Sequence, residues 1–175
     1  MIRDLIDVVV EIPAGSRNKY EFDSDRRAIR LVRQLPASLV YPGDYGFVPG
    51  TEGADGDPLD VLVLTDAPTF PGCWLGVVPL GVLYMDDDAG RDPKVIGVLP
   101  ERAHREGLED LSDLPEQACD ELEHFFTIYK ELEPEMSAHT AGFGDRGAAR
   151  DEILEALDRF AKSAAAFDAL TAQSA

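Results

Sequence analysis

The segment Asp55-Gly56-Asp57-Pro58-Leu59-Asp60-Val61-Leu62-Val63-Leu64 runs from a turn with three carboxylates directly into an aliphatic strand. Pro58 restricts one backbone dihedral and Gly56 permits a tight turn, so the three carboxylates can converge. Like charges about 4 Å apart repel by roughly 1 kcal/mol in water and by about 4 kcal/mol at an effective dielectric constant of 20. A bound divalent cation turns that repulsion into coordination, although a solvated acidic turn before a strand would have the same composition.

Strands are predicted on both sides of this segment, in the first two thirds of the chain. Each is a short apolar or alternating run bounded by Gly, Pro, Ser or Asp, which is the pattern typical of strands. The predicted strands are residues 6–12, 18–23, 28–33, 59–64, 75–85 and 95–99.

The last third of the chain changes to helical periodicity. The apolar positions predict one helix with Leu122, Phe125, Phe126, Tyr129 and Leu132 on its inner face, and a second with Ile153, Leu154, Leu157, Phe160 and Ala161. Asp113 and Glu116 are spaced as a capping pair for the first helix, with Pro115 in its first turn. Residues 163–175 are Ala-rich and weakly patterned, so we expect a frayed tail. Strands followed by helices predict an α+β fold in one domain, residues 1–175, with a small barrel or sheet packed by two main α-helices.

The charge balance limits the partners. The chain has 34 acidic and 16 basic residues, for a net charge of −18. Such a surface repels nucleic-acid backbones and anionic membrane faces, so we expect neither as a partner and consider metal cations first. Cys73 and Cys119 lie far apart and form no ligand pair, and Asp4 and Asp7 argue against a secretory signal. We therefore expect a cytoplasmic protein.

A second acidic cluster, Asp86-Asp87-Asp88-Ala89-Gly90-Arg91-Asp92, connects two predicted strands as a hairpin would. Taken alone, this cluster also fits a second interpretation, in which the charges sit at a hairpin tip and protect a sheet edge from pairing with another chain. Two such clusters at strand ends, in a chain without Cys or His ligand spacings, favour oxygen ligands and hence Mg²⁺ or Mn²⁺. An EF-hand is excluded, because a loop that starts at Asp55 has Asp60 at its Gly position and Asp66 at its final Glu position.

Basic and phenolic side chains offer the positive charge and the donors that an anionic substrate needs. Lys19 and Glu21 share one strand face by the two-residue period, while Lys94 follows the second acidic cluster and Lys130 ends a helix. The compact charge of lysine suits phosphate oxygens, although ordinary salt bridges would also account for these residues. The segment Tyr41-Pro42-Gly43-Asp44-Tyr45-Gly46 places two phenols around a turn, where they pack or donate to a phosphate.

Together these residues resemble the soluble family I inorganic pyrophosphatases of the bacterial type. The stretch DGDPLDV at residues 55–61 matches the family signature, and the resemblance extends from about Val8 to Phe160. The segments that match in order and spacing are residues 11–13, 17–21, 41–46, 81–94 and 124–130.

The resemblance implies a five-stranded, OB-like β-barrel flanked by helices, and an Mg²⁺-dependent enzyme that hydrolyses diphosphate to two phosphates by direct attack of a metal-activated water or hydroxide. It implies several Mg²⁺ ions per site, with Mn²⁺ as a substitute, and a homo-oligomer, because bacterial members are commonly homohexamers. Asp57 matches the proposed general base. Carboxylates that hold metals directly or through water match at Asp55, Asp60, Asp87, Asp92, Glu11 and Glu21. The phosphate-binding positions match at Lys19, Arg33, Tyr41, Tyr45, Lys94, Tyr129 and Lys130.

Two positions depart from the family pattern. Met136 stands where a lysine is usual, which would weaken substrate or product binding, and Val32 stands where an Asp often precedes the arginine. Neither change removes a residue with an implied catalytic role, so diphosphate hydrolysis is our first hypothesis. A metal-dependent hydrolase of nucleotides or longer polyphosphates is the second, weakened by the lack of a nucleotide-binding Gly-rich loop. A cation-binding module without turnover is the third.

Overall fold

Strands dominate the first part of the chain and helices the last. The computed structural model describes residues 5–36, 38–87, 90–131 and 138–172, with side chains for all of these except 87 and 166–172. The strands are β1 (Ile6–Ile12), β2 (Asn18–Asp23), β3 (Ala28–Gln34), β4 (Asp44–Phe47), β5 (Asp60–Leu64), β6 (Trp74–Asp87), β7 (Gly90–Arg91), β8 (Lys94–Val98) and β9 (Ala138–Gly144). The helices are α1 (Pro100–Glu106), α2 (Glu116–Ile128) and α3 (Arg146–Ala172), with a 3₁₀ turn at Leu111–Asp113.

Five strands close into a barrel in the order β1-β4-β5-β8-β6, because β6 pairs with both β8 and β1. Neighbouring barrel strands are antiparallel except for β5 and β8, which run parallel. The long strand β6 also pairs with β7 and β9 beyond the barrel. The predicted α+β fold with a small five-stranded barrel is therefore confirmed.

The β2–β3 hairpin forms a separate two-stranded sheet. Its register places Lys19 opposite Arg33, near the start of β2 and the end of β3. The hairpin therefore presents two cations side by side.

Alternate residues of the barrel strands pack into two apolar clusters on opposite faces of the wall, as the two-residue period requires. Leu62 and Ile96 belong to the cluster that includes Phe125 and Phe126 of α2. The other cluster packs against α3 and consists of Val8, Val48, Leu59, Val61, Val63, Val77, Val82, Val95, Ala149, Ile153 and Ala156.

Strand β4 overlaps the 41–46 segment, where Pro42 and Gly43 indicate only a turn. Gly46 permits the strand, since a Cβ atom at this position would lie 2.0 Å from the carbonyl oxygen of Val9 in β1. Strand β9 and helix α1 were likewise absent from the sequence prediction, whereas all six predicted strands are present with ends shifted by no more than two residues.

Helix α3 corrects two predictions. Its buried side contains Ala149, Glu152, Ile153 and Ala156, while the side chains predicted to face inward at Leu154, Leu157, Phe160 and Ala161 are exposed. Small alanines allow the helix to lie close to β6, so the contact stripe follows Ala149 and Ala156 rather than the largest apolar residues. The helix also continues to Ala172, through residues expected to be frayed.

The predicted capping pair of α2 is also wrong. Asp113 instead accepts hydrogen bonds from the backbone N–H groups of Glu109 and Asp110, as part of a capping box on the 3₁₀ turn. Helix α2 begins after Pro115 without a side-chain cap. Its buried face at Leu122, Phe125 and Phe126 agrees with the prediction; Leu132 lies outside the described residues. None of the described helices is long and apolar enough to cross a membrane.

Candidate active site

A buried lysine joins the two acidic segments. The ammonium group of Lys94, at the start of β8, donates to the carboxylates of Asp60 and Asp92. Asp60 begins β5, which runs parallel to β8 with Val61 opposite Val95, so the strand register places Asp60 beside Lys94. Burial lowers the pKa of Lys94, but the charges of Asp60 and Asp92 outweigh it and raise the pKa above its usual value. Lys94 therefore stays cationic at neutral pH.

Two tyrosines extend this cluster. The hydroxyl of Tyr45 donates to Oδ2 of Asp60 over 2.5 Å, and the Lys94 ammonium lies 5.7 Å from the centre of the Tyr45 ring. The ring of Tyr41 lies 5.4 Å from that of Tyr45. Burial, followed by the negative charge of Asp60, raises the pKa of Tyr45 well above its usual value, and burial also raises the pKa of Tyr41. Both phenols therefore remain protonated hydrogen-bond donors.

Aromatic contacts connect α2 to these tyrosines. Phe125 lies 5.1 Å from Tyr41 and stacks on Tyr129 at 5.6 Å, so the end of α2 is held against the barrel. The largely buried Lys130 follows, with its ammonium 5.5 Å from the ring of Tyr129. The end of α2 thus adds a phenol and a cation to the cluster.

A second group of charges lies along β2, where this strand faces β1. Glu11 of β1 accepts a hydrogen bond from the backbone N–H of Phe22 over 2.6 Å, and Lys19 pairs with Glu21 over 2.7 Å. Burial, followed by the negative charges of Asp60 and Glu21, raises the pKa of Glu11 to about 7. Glu11 thus lies close enough to Asp60 for the two carboxylates to repel each other.

The acidic turn before β5 carries Asp55 and Asp57, and Oδ1 of Asp55 accepts a hydrogen bond from the backbone N–H of Asp57 over 3.1 Å. The Asp57 side chain is exposed at the turn. Partial burial, and then repulsion by Asp55, Asp60 and Glu21, raises the pKa of Asp57. The exposed carboxylate is therefore more basic than an ordinary aspartate.

The structure thus brings predicted site residues together from distant parts of the chain, but it does not place all of them in contact with one another. Asp60, Asp92, Lys94 and Tyr45 are in direct contact. Within residues 5–36, 38–87, 90–131 and 138–172, no three Asp, Glu, His or Cys side chains are close enough together to hold a metal ion. The backbone of Asp87 pairs with Gly90, while its side chain and the whole of Met136 lie outside the described parts of the structure.

The family model of the inorganic pyrophosphatases matches residues 8–161. This chain belongs to the inorganic pyrophosphatase family. It is 49% identical to an inorganic pyrophosphatase of Leifsonia xyli over 86% of this chain and 91% of that protein, and 44% identical to one of Thermus thermophilus over 90% and 91%. The solved inorganic pyrophosphatase of Coxiella burnetii superposes with a TM-score of 0.86 at 42% identity, over 90% of this chain and 95% of the other.

The resemblance stated from the sequence is therefore confirmed, and the chain is a hydrolase of the pyrophosphatase family. Membership implies a divalent metal cofactor, and the donor set fits one. The candidate donors are carboxylate oxygens, the preferred ligands of hard cations. Burial is the main cause of the raised pKa values of Glu11 and Asp57, and repulsion by neighbouring carboxylates adds to it; a divalent cation would relieve that second contribution.

Two buried polar residues hold the loops around the candidate site, although no sequence pattern indicated them. Asp44, fully buried, accepts hydrogen bonds from the backbone N–H groups of Ala14 and Thr69 over 2.7 and 3.1 Å. The hydroxyl of Thr51 donates to the Val48 carbonyl and accepts from the Leu59 N–H, which joins the two ends of the loop between β4 and β5 that carries the acidic turn. The signal that the sequence lacks is the burial of Asp44 and Thr51, which only the folded structure reveals.

Proposed function

We propose that this chain hydrolyses diphosphate to two phosphates with Mg²⁺ as its cofactor, by direct attack of water on a phosphorus atom. The observation that carries the proposal is the Lys94 cluster, in which one buried ammonium bridges Asp60 and Asp92 while Tyr45 donates to Asp60. The cluster joins the family signature around Asp60 to the second acidic segment. Family membership supports diphosphate as the substrate.

We propose Asp55, Asp60, Asp87 and Asp92 as the direct carboxylate ligands of the metal ions, and Glu11 and Glu21 as partners acting largely through water. When bound, Mg²⁺ neutralises phosphate charge and lowers the pKa of a coordinated water. Mn²⁺ has similar preferences for oxygen ligands and is the proposed substitute.

The cations and phenols would position the substrate. Phosphoryl transfer asks a protein mainly for positioning and for neutralisation of charge on the phosphate oxygens. Lys94 stays charged because of its carboxylate neighbours, while Tyr41 and Tyr45 stay protonated because burial raises their pKa values. We assign the binding of the two phosphate groups to Lys19, Arg33, Tyr45, Lys94, Tyr129 and Lys130, with Tyr41 supporting them.

Asp57 would act as the general base that takes a proton from the attacking water. Partial burial at the turn, and then repulsion by Asp55 and Asp60, raises its pKa, which makes it a better proton acceptor than an ordinary aspartate. The low sequence pI does not conflict with an anionic substrate, because the proposed site gathers lysines and an arginine around it.

At the level of the cell, we propose a cytoplasmic, single-domain protein, residues 1–175, that assembles as a homohexamer and binds neither nucleic acid nor membranes. The net charge of −18 supports the last two points, because it opposes contact with other polyanions. Sedimentation equilibrium measures the assembly directly, and a monomeric mass across the concentration range would contradict the hexamer.

The experiment that tests the function is phosphate release from diphosphate with Mg²⁺, with a chelator and with Ca²⁺ in place of Mg²⁺. Rapid release that requires Mg²⁺ and fails with Ca²⁺ supports the proposal. Parallel assays with tripolyphosphate and ATP distinguish it from a general polyphosphate hydrolase. Folded protein that binds Mg²⁺ without releasing phosphate would overturn the proposal in favour of a cation-binding module.

A further inference from the structure

A buried carboxylate on α3 pairs with an arginine of the second acidic segment. Both oxygens of Glu152 accept hydrogen bonds from the two terminal nitrogens of Arg91, one of them over 3.1 Å. The Glu152 side chain is 7% exposed, within the apolar contact between α3 and the barrel, whereas that of Arg91 is 47% exposed. A carboxylate this buried needs a partner of opposite charge, because desolvation of an unpaired charge is costly.

Further contacts fix the orientation of the Arg91 guanidinium group. It lies 5.6 Å from the centre of the Tyr84 ring on β6, within the range of a cation–π contact. The backbone of Arg91 pairs with that of Asp86 in the β6–β7 ladder. The arginine therefore joins α3 to β6 through its side chain and β7 to β6 through its backbone.

Asp92 follows Arg91 directly in the chain. Its backbone N–H donates to the Met85 carbonyl over 2.9 Å, and its carboxylate accepts from Lys94. Strand β7 contains only Gly90 and Arg91, so its pairing with β6 provides few hydrogen bonds. The ion pair with α3 is thus a separate anchor one residue before a proposed metal ligand.

We infer that Glu152 is a positioning residue, which acts through Arg91 to hold Asp92 in the orientation needed for metal binding. The inference rests on the proposed function for the role of Asp92 as a ligand. Helix α3, which supplies no proposed ligand of its own, would in this way contribute to metal affinity.

The test compares the wild type with Glu152→Gln, Arg91→Met and the double variant. One readout, hydrogen exchange of the Asp92 amide in metal-free protein, depends on neither metal nor substrate, and we expect exchange to be about tenfold faster in each variant. The other is Mn²⁺ affinity by calorimetry, which should fall by about tenfold, the lower end of the range for residues that orient metal ligands. The double variant should lose no more than either single variant, because the two side chains act as one unit.

Asp158→Asn is the matched control. Asp158 lies on the same helix and carries the same charge, but it pairs with Lys162 over 2.5 Å and is largely exposed. This variant should exchange the Asp92 amide and bind Mn²⁺ as the wild type does. If Glu152→Gln does not fold, Arg91→Lys takes its place, because it keeps the charge and loses the paired hydrogen bonds.

A folded Glu152→Gln or Arg91→Lys protein with wild-type exchange and wild-type Mn²⁺ affinity would overturn the inference. Failure of the proposed function has a different signature. A wild type that binds Mn²⁺ but releases no phosphate would overturn diphosphate hydrolysis and leave the positioning role intact. A wild type that binds no Mn²⁺ would overturn the positioning role, and its phosphate-release assay would then decide the function separately.

Discussion

At the scale of single residues, the charge of the site is organised around Lys94. Its ammonium group contacts a carboxylate two positions earlier, Asp92, and one 34 positions earlier, Asp60. The sequence pattern indicated the first neighbour, because Lys94 follows the second acidic cluster. The contact with Asp60 depends on the parallel pairing of β5 and β8, which no local pattern encodes.

Asp57 gives the sharpest test of the proposed chemistry. We expect Asp57→Asn to lower kcat for diphosphate by about 10² to 10³-fold, because an amide cannot accept the proton that a general base removes. The fold should be unaffected, since the side chain is exposed. Steady-state phosphate release at saturating Mg²⁺ measures the effect, with Asp25→Asn, an exposed turn variant, as the control. Full activity of Asp57→Asn would exclude this residue as the base.

Because of Glu11, we expect the free energy of unfolding of the metal-free protein to fall as the pH rises. Burial, then Asp60 and Glu21, raises its pKa from the usual 4.5 to about 7, so between these values the folded state holds a proton that the unfolded state has released. The contribution of this group to stability is thus fully present below about pH 4.5. It declines as the pH rises to about 7, by up to about 1.4 kcal/mol per pH unit.

Urea unfolding at several pH values in the presence of a chelator measures this dependence. Glu11→Gln, which is neutral throughout, should remove the slope due to this group between pH 4.5 and pH 7. An identical pH dependence in Glu11→Gln and the wild type would contradict the prediction.

At the scale of elements, the strands were predictable where alternation or an apolar run was bounded by turn residues, as in β1, β2 and β5. Strand β4 was missed because Gly46, needed for close approach to Val9, reads as a turn residue in the sequence. The inward face of α3 was misjudged for a related reason, because close packing on the barrel selects Ala149 and Ala156 over the larger Leu157. Local sequence patterns identify which segments form strands or helices. The distance at which two elements pack decides which small residues face the core, and that distance is not encoded locally.

Asp44 is the residue on which the loops around β4 depend. It ties the turn at Ala14 and the segment at Thr69 to the start of the strand. We expect Asp44→Ala to lower the free energy of unfolding by about 2–4 kcal/mol, because two backbone N–H groups lose their acceptor. Asp44→Asn keeps one acceptor oxygen and should lose less. Urea denaturation of both variants measures the difference, and an Asp44→Ala protein as stable as the wild type would show that water replaces the carboxylate.

At the scale of the whole molecule, the net charge is −18, and the proposed metal ligands are carboxylates that repel one another in the metal-free protein. Metal-free protein should therefore be destabilised by its own charge, and any salt should screen part of that repulsion. A specific cation site adds a second effect. Binding to the folded state alone stabilises it in proportion to the logarithm of the metal concentration over Kd, whereas screening depends only on ionic strength.

We therefore expect Mg²⁺ to raise the melting temperature more than NaCl does at the same ionic strength and protein concentration. At 100 times Kd, one bound ion stabilises the fold by about 2.7 kcal/mol, which corresponds to roughly 5–10 °C for a chain of this size. Calorimetric melting curves in the two salts measure the excess, and Asp60→Asn should lose most of it while keeping the rise due to NaCl. Equal melting temperatures in Mg²⁺ and NaCl would mean that the carboxylates respond to cations only by screening, because a specific site cannot bind the folded state without stabilising it.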